Sequence, residues 1–184
     1  MVKEWTKLDS KLQHDYRIFQ SRINTLRSPR TGKTHDFVVL DAVDWVNIIP
    51  VTPQGNVVLI YQYRYGTEAV SLEVPGGMVD PEDPNPAYSA QREMLEETGY
   101  DAAQIIPLGS VEPNPAFMGN KCFSFLARDA QKVQEPQFDG AEDILTVEFP
   151  LDVIPDLIRN GRITHSLVVA AFYHLDNYKR IEAR

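Results

Sequence analysis

Glu93, Glu96 and Glu97 stand at spacings that, on a helix, bring their carboxylates within an arc of about 100°. Acids that close repel one another, so the arrangement needs bulk water or a bound cation. Oxygen-only donors suit a hard metal such as magnesium or manganese. A plain solvated acidic face uses the same residues, so the surroundings must decide between the two. Upstream of the acids, Gly76 and Gly77 follow the strand-like VSLEVP. Such a pair makes a tight turn that can offer a backbone carbonyl to the same metals without a side chain in the way.

The element that must position these acids is a helix over Pro86 to Thr98. Asn85 is a suitable N-cap, Pro86 sits where its missing N–H costs nothing, and Gly99 supplies a left-handed stop. The periodicity places Ala87, Tyr88, Met94 and Leu95 on one face and the three glutamates on the other.

The stretch from Val74 to Tyr100, VPGGMVDPEDPNPAYSAQREMLEETGY, resembles the Nudix box. In that pattern a Gly is followed by five residues, a Glu, seven residues, and then Arg-Glu-U-x-Glu-Glu-x-Gly-U, with U bulky and apolar. The second half is matched by Arg92, Glu93, Met94, Glu96, Glu97, Gly99 and Tyr100, with Leu95 in the free position. In the first half the loop is one residue too long. Counting from Gly77 puts Asp83 at the Glu position, and counting back from Arg92 puts Pro84 there. The family's Glu orients the helix through the box arginine, so Asp83 or Glu82 is expected to serve Arg92.

The resemblance implies an α/β fold, an α/β/α sandwich with a mixed sheet, over about Trp45 to Arg180. The expected order agrees. The segment Tyr16 to Thr52 reads as a hairpin and a third strand, VVLIYQYR as a strand ending near Arg64, and Ile105 to Glu112, Cys122 to Ala127 and Ile144 to Phe149 as further strands. One helix is expected from Pro150 to Asn160-Gly161 and a second over His165 to Tyr178. The chain thus divides into an N-terminal strand arm, 1–44, and a Nudix domain, 45–184.

Within the family, the run of QYR, LEVPGG and box is similar to the ADP-ribose and nucleoside diphosphate sugar hydrolases. Glu93, Glu96, Glu97 and the Gly76 carbonyl are then expected to hold Mg2+, with Mn2+ possible as a substitute. Arg92 is expected to act as a partner of Glu96 or Asp83. The implied reaction attacks the diphosphate with water and releases a nucleoside monophosphate and a sugar phosphate. A general base is expected from the FDGAEDIL loop, with Glu142 first and Asp143 or Asp139 as alternatives. Substrate contacts are expected from Arg64, bidentate to the diphosphate, and from Trp45 or Tyr63 stacking on the base. Pro115 is a further candidate, fifteen residues beyond Tyr100 like the proline of many of these enzymes, although Asn114-Pro115-Ala116-Phe117 replaces their usual Ser-Pro-Gly-Phe. His165 reads as a helix-start residue and Cys122 as a small core residue. Dinucleoside polyphosphates or other nucleotides are alternative substrates, and a non-catalytic sensor of such sugars is a second class of reading. Retention of all three box glutamates favours the enzyme.

The net charge of −8 argues against nucleic-acid binding. That charge is unevenly spread, because residues 1–34 hold eight Lys/Arg against three acids, leaving −13 for the remainder. A basic arm on an acidic body suits the homodimers typical of the similar hydrolases, in which N-terminal strands complete the neighbour's site. MVKEWTKLDS lacks an apolar core for a leader, and the longest apolar run, Leu167 to Tyr173, is too short to span a bilayer, so a cytoplasmic location is expected.

Overall fold

The computed structural model describes residues 1–138, 140 and 143–183. They fall into two compact units, one of Met1–Asp44 with Glu112–Lys121 and one of Trp45–Val111 with Cys122–Arg184.

The smaller unit is an antiparallel sheet of β1 (Thr6–Asp15), β2 (Phe19–Arg27) and β3 (Thr34–Ala42), in that spatial order. The hairpin expected from sequence is β2–β3. Strand β1 was not anticipated. It pairs with β2 through two register irregularities, and all but one of its residues are exposed, so it lacks the alternation that marks a half-buried strand. The 112–121 segment joins this unit where the Leu40 N–H donates to the Phe117 carbonyl at 2.8 Å.

The larger unit begins with β4 (Trp45–Val51), β5 (Asn56–Arg64), β6 (Ala69–Glu73), β7 (Gly76–Met78) and helix α1 (Pro86–Thr98). There follow β8 (Tyr100–Asp101), β9 (Gln104–Val111), β10 (Cys122–Arg128), β11 (Gln131–Lys132) and β12 (Ile144–Pro150). A 3-10 turn (Leu151–Val153) leads to α2 (Ile154–Arg159) and α3 (Ser166–Glu182). The main sheet runs β12-β5-β4-β10-β9, with β6 on β5 and β7 on β4. It is mixed, because β4 and β10 are parallel while their other partners are antiparallel.

Strand alternation sorts the core into two layers. Ile49, Val57, Leu59 and Leu126 pack with Val168, Ala171, Phe172 and Leu175 of α3. Val46, Ile48, Val58, Phe125 and Ala127 pack with Ala90 and Met94 of α1. Helices therefore cover both faces, which is the α/β/α sandwich expected from sequence. Buried on both sides, β4 reads as a nearly continuous apolar run in which Asn47 is the polar exception.

The ends of the helices differ from the sequence expectation. Pro150 ends β12 instead of opening a helix, and α2 begins only at Ile154. A helix begun at Leu151 would carry Pro155 in its interior, whereas starting at Ile154 leaves that proline in the first turn. Helix α3 runs past Tyr178 because its last turn is tied down. The Arg128 guanidinium donates to the Tyr178 hydroxyl at 3.2 Å and to Glu182 at 3.0 and 3.1 Å. Among the described residues, no helix is long and apolar enough to cross a membrane.

Candidate active site

Helix α1 spans the residues its sequence predicts, with the Asn85 side chain accepting the Tyr88 N–H at 3.0 Å and Gly99 at φ 74° closing it. Its faces are rotated from expectation. Tyr88 is exposed, and Glu97, assigned to the open face, is only 3% exposed. The cause is the Gly76–Gly77 turn, which folds over the carboxylate side.

That turn is a strand edge. β7 pairs with β4 through Trp45↔Met78, Val46↔Gly77 and Asn47↔Gly76. A Cβ at Gly76 would overlap the Val46 carbonyl, and one at Gly77 would overlap the Glu93 carboxylate. Glycine at both positions lets the backbone lie flush against the acids of α1. The Gly76 N–H donates to Glu97 Oε2 at 2.9 Å.

Arg92 fastens the other end of the loop. Its Nη1 donates to Glu93 Oε1 at 3.1 Å and Glu96 Oε2 at 3.0 Å. Its Nη2 reaches Asp83 Oδ2 at 3.0 Å, Asp80 Oδ2 at 3.1 Å and the Met78 carbonyl at 3.3 Å. Burial works against the guanidinium charge, but Asp83, Glu93 and Glu96 outweigh it and hold Arg92 protonated above its ordinary range. Burial likewise works against the Asp83 carboxylate, and Arg92 with Ser89 reverses this, lowering its pKa. Asp83 thus takes the place of the missing box Glu, while Glu82 is exposed. The longer loop also brings in Asp80, which the sequence reading missed.

Beside the turn lies a cavity of about 260 Å³ whose lining includes Trp45, Asn47, Arg64, Gly76 and His165. Arg64 was expected to face a diphosphate. Its Nε and Nη2 donate to Glu73 at 2.8 and 2.7 Å, and the residue lines the cavity. The Glu73 side chain is 2% exposed and that of Arg64 is 41% exposed. Burial pushes the Glu73 carboxyl up, and Arg64 outweighs it to leave the pKa lowered. The Glu73 hydrogen bonds raise Arg64, and the field of Glu97 adds to them. Sequence reasoning missed Glu73, although an acid inside the apolar VSLEV signals a buried charge that needs a partner.

The remaining candidates are placed as follows. His165 is the residue before α3, as predicted, but its side chain makes no cap hydrogen bond. Its Nδ1 lies 3.9 Å from Glu73 Oε2. Cys122 is 1% exposed, and burial pushes its thiol up to about 12, in keeping with a core residue. Tyr63 is exposed and stacks edge-on with Tyr65 at 5.6 Å. Pro115 belongs to the smaller unit. Glu142 and Asp139 lie outside the described residues, and Asp143 is exposed.

Among the described residues, no three His, Cys, Asp or Glu side chains converge at metal-ligating distance. The donor chemistry nevertheless fits a magnesium-type ion, which takes one or two carboxylates and completes its shell with water and phosphate oxygens. Glu97 at 3% exposure, Glu93 at 14% and Glu96 at 44% form a graded acidic edge. The Glu93 carboxylate occupies the space that a Cβ at Gly77 would fill.

The site thus sits on an α/β/α sandwich that lays an acidic helix edge against a Gly-Gly turn beside a small cavity. The NUDIX domain profile matches residues 43–172, and the chain belongs to the NUDIX family. It is 26% identical over 168 residues to an ADP-ribose pyrophosphatase of Mycobacterium tuberculosis, covering 91% of this chain and 81% of that one. It is 25% identical over 128 residues to a GDP-mannose pyrophosphatase of Salmonella arizonae, covering 65% of this chain and 66% of the other. A solved structure described as an ADP compounds hydrolase matches with a TM-score of 0.86 over 100% of this chain and 98% of its own, at 22% identity. That likeness shows a shared fold.

Proposed function

We propose that the chain is a divalent-metal-dependent Nudix pyrophosphatase that hydrolyses the diphosphate of nucleoside diphosphate sugars, such as ADP-ribose or GDP-mannose, to a nucleoside monophosphate and a sugar phosphate. The observation that carries this is the position of the Glu93–Glu97 edge against the Gly76 turn, beside a cavity lined by Trp45 and Arg64. The names of the relatives support the substrate class, since ADP-ribose and GDP-mannose are both sugars joined to a nucleoside diphosphate.

Glu93, Glu96 and Glu97, with the Gly76 carbonyl, would hold Mg2+ or Mn2+, which when bound neutralises phosphate charge and lowers the pKa of water. Arg92 positions Glu93 and Glu96 by its hydrogen bonds. Trp45 offers a flat apolar wall to a ring, and Arg64, anchored on Glu73, presents positive charge to the diphosphate. In the reaction a water oxygen bonds to one phosphorus, the bridging P–O bond breaks, and the proton of the water passes to a general base. We assign that base to Glu142.

The exposed apolar side chains Leu12, Phe37 and Val38 of the N-terminal sheet, with Ile18 in the connection between β1 and β2, suit a homodimer. A truncation lacking residues 1–34 is expected to be monomeric and less active.

The decisive experiment offers the protein ADP-ribose, GDP-mannose, other such sugars, dinucleoside polyphosphates and nucleoside triphosphates with magnesium, and resolves the products. Monophosphate plus sugar phosphate is the expected result. Cleavage of polyphosphates alone would change the substrate, and a melting-temperature rise without cleavage would make the protein a sensor.

A further inference from the structure

Two polar groups at the cavity make no hydrogen bond among the described residues. Asn47, in the middle of apolar β4, is 8% exposed, and its Nδ2 has no hydrogen-bond partner among the described residues. An unpaired buried amide is costly, and a strand otherwise filled by apolar side chains does not require one. His165 lines the same cavity; its Nδ1 is buried 3.9 Å from the Glu73 carboxylate with no hydrogen-bond partner among the described residues, which leaves Nε2 as the ring nitrogen for a ligand.

His165 additionally occupies a position where another residue would stabilise more. At the N-cap of α3 a Ser, Asp or Asn would stabilise the helix over a non-capping residue. Asn85 does this for α1, whereas His165 makes no cap hydrogen bond. Both positions hold side chains that the fold alone does not favour, and both line one cavity.

The chemistry of the pair is specific. Burial lowers the His165 pKa, with Glu73 opposing and Arg64 reinforcing, so the imidazole is neutral near pH 7 and carries one donor and one acceptor. The Glu73 carboxylate 3.9 Å from Nδ1 favours the proton there, leaving Nε2 as the acceptor. The ring is 35% exposed although Nδ1 is buried, so its open edge is the other one. Asn47 Nδ2 is a pure donor. A phosphate oxygen can answer only the donor, whereas a hydroxyl accepts and donates.

We propose that Asn47 and His165 are specificity-determining residues that bind hydroxyl groups of the substrate's sugar ring, one accepting from Asn47 Nδ2 and one donating to His165 Nε2. This rests on the nucleoside diphosphate sugar reading above. The ring is either the nucleoside ribose or the terminal sugar, and the substrates of the test separate them.

Steady-state kinetics with magnesium would compare the wild type, Asn47→Ser, His165→Ser and His165→Gln on GDP-mannose, its 2-deoxyhexose counterpart and its 2′-deoxynucleoside counterpart. Each Ser variant is expected to lose about 10- to 100-fold in kcat/KM on GDP-mannose, mainly through KM. On the analogue lacking the contacted hydroxyl the wild type should already show that loss and the variants should lose little more, which names the ring. His165→Gln keeps an acceptor and should recover much of the activity, and His165→Ser should melt no lower than wild type because serine caps α3. Equal losses on all three substrates, or no loss in any variant, would overturn the inference while leaving the hydrolase reading intact. If the wild type cleaves ADP-ribose and not GDP-mannose, the same comparison on ADP-ribose and its deoxy counterparts decides the inference; wild-type failure to cleave any nucleoside diphosphate sugar would overturn both.

Discussion

Two arginines frame this site, and they are bound in opposite ways. Arg92 is a hub, reaching Asp80, Asp83, Glu93 and Glu96 within 3.1 Å. Arg64 is committed to one partner, the buried Glu73, through both of that residue's oxygens. A hub spreads its charge over several acids, so no single contact is decisive. A private pair with one buried member has no substitute, because removing either side strands a charge away from water. The two therefore differ in how they fail, and the acid lying between them tests what they jointly support.

That acid is Glu97, held by the Gly76 N–H and felt electrostatically by Arg64. Glu97→Gln keeps a hydrogen-bond acceptor for Gly76 but removes the charge. Turnover should fall by about 10³-fold, with a melting temperature close to wild type. Single-turnover assays beside calorimetry would check this, and wild-type turnover would remove Glu97 from the metal assignment.

The private pair should show the largest effect on stability. Arg64→Met leaves Glu73 charged and buried, at a cost of about 3 kcal/mol in urea unfolding. The double variant Arg64→Met/Glu73→Gln should recover most of it, since the stranded charge is gone. A single variant as stable as wild type would show that Arg64 is not what keeps Glu73 ionised.

The same pair should leave a signature in acid. Arg64 lowers the folded pKa of Glu73 below its ordinary 4.5, overriding burial. The folded state therefore holds the carboxylate ionised at pH values where the unfolded chain has taken up a proton. Its contribution is fully present above about 4.5 and is lost as the pH falls through the folded value. The stability of wild type relative to Glu73→Gln should decline over that window and be flat from pH 6 to 8. A difference that is constant down to the acid limit would contradict the pairing.

The two arginines also differ in how readily the sequence discloses them. Arg92 is local to its partners: Glu93, Glu96 and Asp83 all lie within nine residues, inside one capped helix and its entry loop. Helix spacing and the box resemblance together therefore brought Arg92 to Glu96 and to Asp83 or Glu82, while Asp80 was missed. Arg64 and Glu73 are also nine residues apart, but they stand on different strands, and their meeting depends on how the β5–β6 hairpin turns the two side chains. Helix periodicity could not foresee the burial of Glu97 either, because the cover comes from β7, a three-residue strand placed by its pairing with β4. Strands β8 and β11, with two residues each, are too short to show a period at all. The sandwich itself was legible because β4, β5 and β10 are long, apolar and bounded by turns. His165 and Asn47 were not legible as site residues, since a lone polar residue in an apolar run declares its purpose only when the space beside it is known.

The smallest effect belongs to the hub. Asp83→Asn removes one of its charges, yet Asn can still accept from Arg92 Nη2. Asp80 at 3.1 Å and the Met78 carbonyl at 3.3 Å remain on the same nitrogen. Nη1 keeps Glu93 and Glu96, so the orientation of the acidic edge is preserved. The Asp83 side chain is 7% exposed, so the loss should be about 1–2 kcal/mol of stability, limited by the hydrogen bond that Asn keeps. Turnover should stay within about fivefold, roughly 1 kcal/mol of barrier. Adding Asp80→Asn should cost more than the two single effects combined, because Nη2 would then face no charge on the loop. Strict additivity in that double-mutant cycle would mean that the two aspartates act independently, and Arg92 would have to be described as a set of separate pairs.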